Sequence, residues 1–243
     1  MKMKDLALAQ VRRGERFTLD GVEFVKLEDD LDAAFAVAAD TLPECCRFED
    51  DDAEREDHNN YAGSLLSKTV ERWLRDKHPA IFSAVVERPI DLTTMDGMTD
   101  YGKPLAVARA LTIDEYRKHR SILPLTSKPY WLATGWTTNS SPSSDVSSAY
   151  YIRAGGTVGR GYVCNAGFAP RPALYLKSSI SVSVGTEDAG KTLAEYSDTD
   201  LTGNLNPEWT EWLMGFPTGW TELDASETRC ARPSSSPSSN KSD

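Results

Sequence analysis

Phe17-Thr-Leu-Asp-Gly-Val-Glu-Phe-Val25 is the stretch from which the fold is best interpreted. Apolar and polar residues alternate on both sides of Asp20-Gly21, which is the period of a strand with one buried face. A two-residue Asp-Gly loop favours a type I′ turn, because both of its positions need a positive φ. The stretch therefore predicts a β-hairpin with strands near residues 16–19 and 22–27.

The segments that flank this hairpin have less decisive patterns. Residues 5–13 contain good helix formers and precede Gly14, so they predict an N-terminal helix within residues 1–13. Residues 31–39 stay open between two structures, because their alanines favour a helix while their larger apolar residues fit a strand face. The acidic run from Glu49 to Asp57 repels itself and predicts a solvated loop.

Two further segments have helix signals. The stretch from Ser64 to Lys77 predicts a capped helix, with Trp73 on its apolar face and therefore in the core. Thr112 and Glu115 form a capping-box pattern, in which each side chain satisfies a backbone N–H of the other residue. This pattern predicts a second helix over about residues 113–121.

Short apolar stretches predict most of the remaining strands. They are Val107–Leu111, Tyr130–Leu132, 149–153, 158–164, 171–176 and 181–184. Residues 137–148 are almost wholly polar and predict a loop. The glycine-rich stretch from Gly155 to Gly161 lies between two strands with no helix after it, so it predicts a hairpin and not a phosphate-binding loop.

The composition changes again near the C-terminus. Residues 185–205 form a polar linker, and residues 206–221 predict a short Trp-rich helical segment that begins with an Asn cap and a proline. The Ser/Pro-rich residues 222–243 predict a disordered tail. The pattern as a whole predicts an α+β fold, with the main domain over residues 14–184.

Composition argues against several classes of partner. The 243 residues include 27 Lys+Arg and 37 Asp+Glu, a formal net charge of -10, and phosphate binding needs a cationic surface, so no nucleic-acid partner is expected. No apolar run of roughly 18 residues is present to span a membrane. The N-terminus has no apolar stretch of a secretory signal peptide, so the expected location is cytoplasmic or virion-associated.

Sequence motifs for catalysis and metal binding are missing. Cys45 and Cys46 are adjacent without a Cys-x-x-Cys spacing, and the three histidines are far apart in the chain. Neither a nucleophile elbow nor a zinc-protease motif occurs. The sequence therefore predicts a protein that is not an enzyme, with no catalytic residue, no metal and no cofactor.

Two marker segments resemble a known domain family. Tyr130-Trp131-Leu132 and Arg171-Pro-Ala-Leu-Tyr-Leu176, with a polar hairpin between them, resemble uncharacterised domains common in gut bacteria and their phages. The order of motifs extends the resemblance over residues 14–184. That family is related to the C-type-lectin-like and formylglycine-generating-enzyme-like fold. In that fold the region between the two markers is the exposed binding face, and it is hypervariable in related target proteins of diversity-generating retroelements.

The region between the markers has a matching composition. Residues 139–167 are rich in Tyr, Ser and Asn, which combine rigid contact area with adaptable hydrogen bonding, as in antibody paratopes. Strand alternation predicts Tyr151 and Arg153 outward, and Tyr150 and Ile152 inward. The expected partner is an unidentified protein or glycan, and homo-oligomerisation stays open. The predicted binding residues are Asn139, Ser140, Ser144, Asp145, Ser147, Tyr151, Arg153, Arg160, Tyr162 and Asn165.

A second, shorter resemblance leaves two alternatives to this interpretation. Residues 205–221 are similar to a segment near the C-terminus of phage-type cytosine DNA methyltransferases, although the catalytic Pro-Cys pair of those enzymes is missing. The favoured expectation is a phage- or prophage-encoded recognition module. The first alternative is an accessory or remnant of a phage DNA-modification system. The second is a formylglycine-generating-enzyme-like oxygenase, whose paired copper-binding cysteines are missing, as are the calcium motifs of sugar-binding lectins.

Overall fold

The structure is a computed structural model that describes residues 3–50 and 53–185, so the predicted linker beyond residue 185, the helical segment and the tail lie outside the described residues. The strands are β1 (Met3–Ala7), β2 (Arg16–Leu19), β3 (Val22–Asp30), β4 (Ala33–Ala38), β5 (Arg88–Pro89), β6 (Leu105–Ala106), β7 (Tyr130–Gly135), β8 (Ser148–Ile152), β9 (Val158–Tyr162), β10 (Ala173–Lys177) and β11 (Ser181–Gly185). The α-helices are α1 (Leu65–Arg72), α2 (Pro79–Ala84) and α3 (Ile113–His119). The domain is thus mixed α and β, and its paired strands are all antiparallel.

The predicted hairpin is confirmed and forms the centre of the largest sheet. Strands β2 and β3 pair with Leu19 opposite Val22, and the turn residues Asp20 and Gly21 have φ of 50° and 75°. Six strands follow the order β1-β11-β2-β3-β4-β10. Both φ values are positive, which is the condition for the type I′ turn that the Asp-Gly pair predicts.

The predicted N-terminal helix within residues 1–13 is wrong. Its first part is β1, which pairs with β11 along its whole length, and a single 3-10 turn follows over Leu8–Gln10. The buried Lys26 ammonium donates to the carbonyls of Leu8 (3.1 Å) and Val11 (2.8 Å). Pairing with a distant strand and with this ammonium satisfies the main chain here, so tertiary contacts override the local helix propensity.

Residues 31–39, whose sequence pattern permits either a helix or a strand, contain the strand β4. All six residues of β4 are buried. Phe35 and Val37 face one hydrophobic core. The alanines that alternate with them face a second core on the other side of the sheet, and they are Ala34, Ala36 and Ala38. Leu31 lies outside the strand at a turn, with a φ of 52° and 94% of its surface exposed.

Both predicted helix caps are confirmed. Ser64 accepts a hydrogen bond from the N–H of Ser67 (3.1 Å), and Thr112 and Glu115 form the reciprocal capping box. After α1 the chain continues as a π-helical turn over Trp73–Lys77. Trp73 is half-buried at the margin of the core, because this turn also borders a surface groove.

The strand predicted over Val107–Leu111 is wrong, because each residue there has a different partner. Arg109 exchanges two hydrogen bonds with Ala173 in an isolated bridge, whereas the N–H of Ala110 donates to the Tyr61 hydroxyl. The guanidinium of Arg109 is buried against Glu115, with two contacts of 2.6 Å. The two-residue strand β6 ends just before this stretch, and Arg109 bridges to the first residue of β10.

The two marker segments of the sequence meet in the folded domain. Arg171 is buried and donates to the carbonyls of Ala38 (2.9 Å) and Ala39 (3.1 Å), and its third partner is the Tyr130 hydroxyl (3.1 Å). Its guanidinium also lies 4.9 Å from the centre of the Tyr130 ring. This arginine joins the six-stranded sheet to the smaller sheet β7-β8-β9, whose strands confirm those predicted around residues 130, 150 and 160.

Candidate functional site

The polar loop between β7 and β8 is closed at its base by one asparagine. Asn59 is fully buried, and its amide nitrogen donates to the carbonyls of Thr137 (3.0 Å) and Ser148 (2.8 Å), one at each end of the loop. Its amide oxygen accepts a hydrogen bond from the Tyr101 hydroxyl (2.6 Å). Burial raises the pKa of Tyr101, so this phenol keeps the proton that it donates. The two ends of the loop are therefore held together through main-chain carbonyls.

Arg55 holds the segment that carries Asn59. Its guanidinium donates to the carbonyls of Asn60 (2.7 Å) and Ala62 (3.1 Å) and pairs with Glu49 (3.2 Å). Glu49 is buried, so its placement contradicts the prediction that the acidic run is solvated from its first residue. The cation compensates the buried carboxylate, which would otherwise be costly to desolvate.

Gly135 provides the space that Asn59 needs. A Cβ at Gly135 would lie 2.8 Å from the Asn59 carbonyl oxygen and 2.9 Å from the Asn59 side chain. A real Cβ atom does not approach other atoms this closely. Any other residue at position 135 would therefore displace Asn59. Sequence reasoning missed this pair, because the two residues are 76 positions apart and neither belongs to a recognisable motif.

Two carboxylates hold polar side chains of the loop, Asp145 from within it and Asp100 from the segment 95–100. Asp100 accepts hydrogen bonds from Thr138 and Ser140 (2.8 Å each), and these bonds lower its pKa. Asp145 accepts from the Ser147 hydroxyl (2.6 Å), and bonds from Ser147 and Ser148 lower its pKa against the opposing effect of burial. Both carboxylates are thereby kept ionised. Ser140, Asp145 and Ser147, which were predicted to bind ligand, thus have internal partners.

A groove of about 530 Å³ lies between this loop and the segment 95–98. Its apolar lining comes from side chains that are far apart in the sequence. These are Met95, Met98, Trp136 and Pro142. Its polar lining consists of Asp96, Thr137, Ser141 and Ser143. Met95 is 43% exposed, and its sulfur accepts a hydrogen bond from the Arg117 guanidinium (3.5 Å), which fixes this side chain at the edge of the groove.

The indole of Trp136 forms one wall of the groove and is held on two sides. The ring of Tyr150 lies 5.5 Å from it, and the guanidinium of Arg160 lies 4.5 Å from the indole centre. Arg160 also lies 3.7 Å from the carboxylate of Asp145. Arg160 of β9 is therefore joined to the loop at both Trp136 and Asp145. We call the surface that they share with the groove the loop face and define it as residues 95–100, 136–147 and 158–162.

The two tyrosines of β8 lie on opposite faces of the small sheet, as strand alternation predicts. Tyr150 is buried with Ile152. Tyr151 is half-buried on the other face, where it packs against the core and stacks on Phe168 at 4.1 Å, so the prediction that it points outward is wrong. It lies across β9, where a Cβ at Gly159 would come within 2.5 Å of its ring. The glycine-rich stretch is thus a hairpin strand, as predicted, and its first strand glycine makes room for an aromatic ring.

The predicted binding residues therefore fall into two groups. Three of them are exposed, and their side chains have no hydrogen bond or ion pair within the described part of the chain. They are Asn139, Ser144 and Tyr162. The other seven have contacts of their own. They are Ser140, Asp145, Ser147, Tyr151, Arg153, Arg160 and Asn165.

A second groove, of about 660 Å³, lies away from the loop face and was not predicted. It is bordered by the π-helical turn, where the ring of Trp73 lies 4.7 Å from that of His78. Charged side chains of both signs line it, among them Arg72, Asp76 and Glu44. Trp73 was interpreted from the sequence as core, and no pattern in the sequence distinguishes a buried indole from one that borders a groove.

Residues 3–50 and 53–185 contain no group of three or more His, Cys, Asp or Glu side chains that could hold a metal ion. Across the same residues no helix has the length and apolar character needed to cross a membrane. Comparison of the chain with models of protein families, with curated proteins and with solved structures finds no match.

Proposed function

We propose that this chain is a non-enzymatic recognition module that binds a protein or glycan ligand through its loop face. Its domain would be C-type-lectin-like, as the resemblance of residues 14–184 implies, and of phage or prophage origin. In this proposal the groove takes an anchoring group of the ligand. The exposed polar side chains around the groove, such as Asn139 and Ser144, make adaptable hydrogen bonds at its margin.

The observation that carries the proposal is the way in which the loop is held. Asn59 binds carbonyls at both ends of the loop, so the anchoring does not depend on which side chains the loop displays. An exposed apolar groove beside such a loop is the usual form of a recognition surface, with an apolar centre and a polar margin. Both features favour display of side chains to a ligand.

The proposal further includes the diversity-generating retroelement as a source of variation in the loop. The neighbouring DNA tests this part directly. A reverse-transcriptase gene and a near-copy of the codons for residues 130–172 would support it, and a neighbourhood without either would contradict it.

Binding itself can be tested on bacterial cells and on an array of glycans with the fluorescently labelled full chain. We expect M95S and W136A to weaken any binding by at least about tenfold, because anchors of this kind dominate interface energetics. The matched control is L31A, which removes an equally apolar exposed side chain outside the loop face. Circular dichroism establishes that each variant is folded. Binding that survives both substitutions, or that L31A weakens equally, would contradict the proposed face.

A further inference from the structure

Strand β9 is the end strand of its sheet in the described part of the chain. The strand order is β7-β8-β9, and β9 pairs with β8 alone. Hydrogen bonds flank this strand pair on both sides, from the N–H of Arg153 to the carbonyl of Thr157 and from the N–H of Val163 to the carbonyl of Ser147. Because hydrogen-bonded and non-hydrogen-bonded residue pairs alternate along an antiparallel ladder, these two bonds determine which residues of β9 bond to β8. Given that alternation, residues 159 and 161 direct their main-chain groups to β8. Residues 158, 160 and 162 direct theirs to the outer edge.

Several of these outward groups have no partner among residues 3–50 and 53–185. The carbonyl of Val158 accepts from Arg153 (3.2 Å), and that of Tyr162 accepts from the N–H of Asn165 (2.9 Å). The N–H and C=O of Arg160 and the N–H groups of Val158 and Tyr162 have no such bond. They form a row of three donors around one acceptor, which an added strand could use.

The side chains of the same three residues form an exposed row. Val158 is 40% exposed and Tyr162 is 66% exposed, which are high values for apolar and aromatic side chains. Arg160 lies between them with its side chain 46% exposed, although its guanidinium already lies 4.5 Å from the Trp136 ring and 3.7 Å from the Asp145 carboxylate. The edge therefore presents an apolar side chain, a cation and an aromatic ring at alternate positions, all on the face of the sheet that also carries Trp136.

From this edge we infer that β9 is a docking site for an extended segment of a partner protein, which adds as an antiparallel strand with a Glu or Asp opposite Arg160. Opposite charges directly across a strand pair stabilise it, and like charges destabilise it. Apolar or β-branched residues of the segment would lie opposite Val158 and Tyr162. The inference rests on the proposed function and makes it more specific, since it identifies the ligand as a protein and not a glycan.

Charge also distinguishes this occupant from a second copy of the chain. Two copies of β9 that pair antiparallel over all five residues would place Arg160 opposite Arg160 of the other copy. That arrangement puts two cations directly opposite each other, each with Asp145 only at 3.7 Å, whereas an acidic segment places a carboxylate directly opposite Arg160. Strand addition uses main-chain bonds for affinity and alternate side chains for specificity, and the edge supplies both.

The experiment titrates the ¹⁵N-labelled full chain with two capped peptides of alternating Val and Thr, one with a central Glu and one with a central Lys. With the Glu peptide we expect the amide signals of Val158, Arg160 and Tyr162 to shift and to become protected from exchange. We expect binding of the Lys peptide to be about tenfold weaker, and R160E to reverse this preference.

A proline substitution tests the role of the main chain separately. V158P removes an outward N–H without removing a bond to β8, and V158T is the matched control that keeps this N–H. We expect V158P to bind the Glu peptide at least about tenfold more weakly than V158T, which also loses the apolar side chain of Val158 but keeps its N–H. Equal binding by both variants, no binding at millimolar peptide, or concentration-dependent self-association through β9 would overturn the inference. Cell or glycan binding that M95S abolishes and V158P spares would overturn it too, while leaving the loop face itself in place.

Discussion

Removal of the Asn59 side chain should release both ends of the loop at once. The N59A variant loses short hydrogen bonds to the carbonyls of Thr137 and Ser148, one from the Tyr101 hydroxyl, and a longer one (3.4 Å) to the carbonyl of Asp145. A buried hydrogen bond contributes about 1 kcal/mol, so the three short ones amount to about 3 kcal/mol. The Ser148 carbonyl keeps a second donor, the N–H of Trp136 at 3.0 Å, which limits the additional cost of unsatisfied groups.

The assay is thermal and urea unfolding, together with hydrogen exchange of the loop amides. For a domain of this size we expect N59A to lower the melting temperature by roughly 6–12 °C and to speed amide exchange across residues 138–147. The control is N139A, an exposed residue inside the loop, which should change stability by less than about 0.5 kcal/mol. If N59A were as stable as N139A, or if exchange in the loop were unaltered, Asn59 would not be what holds the loop.

Three further substitutions test other parts of the domain. G159A should cost about 1–3 kcal/mol in urea unfolding, because the new methyl group must displace the ring of Tyr151, whereas G155A, with open space around it, should be close to neutral. K26M should cost about 2–4 kcal/mol, since it removes the buried ammonium from two carbonyls of the N-terminal turn and from the Asp29 carboxylate (2.7 Å). An unchanged urea midpoint would contradict that role. His119 is fully buried with no hydrogen bond to either ring nitrogen, and burial lowers its pKa, so the folded state disfavours the imidazolium. The contribution of His119 to the free energy of unfolding should therefore be constant above about pH 6.5, and it should become destabilising as the pH falls below that value. We expect H119F to flatten the pH dependence of stability between about pH 7.5 and 5.5. Parallel stability curves for the two proteins would refute this.

Local chemistry explains which elements the sequence could predict. The Asp20-Gly21 turn and the caps at Ser64 and Thr112 depend on neighbours within a few residues, and all three are confirmed. The polar run after β7 likewise predicts a loop from composition alone. In these places the interactions that decide the structure are already adjacent in the chain.

Elements that depend on distant partners were predicted wrongly or not at all. Strand β1 pairs with β11 more than 170 positions away, so its helix-forming residues gave no sign of the strand. Asn59 is one of two adjacent asparagines, and only its contacts with Thr137 and Ser148 distinguish it from Asn60. The groove also joins segments about 40 residues apart, so no single stretch of sequence contains it.

The pairing of β1 with β11 has a mechanical consequence. Met3 lies opposite Gly185, so the first and last residues of this pair are neighbours at the same end of an antiparallel ladder. Tension applied between these two residues would act across the hydrogen bonds and load them one rung at a time, from Met3 towards Ala7. A pair loaded in this way opens like a zipper at low force, whereas a pair pulled along its strands must break all its rungs together. The domain should therefore yield to stretching first at β1, while the sheet that carries the loop face stays intact.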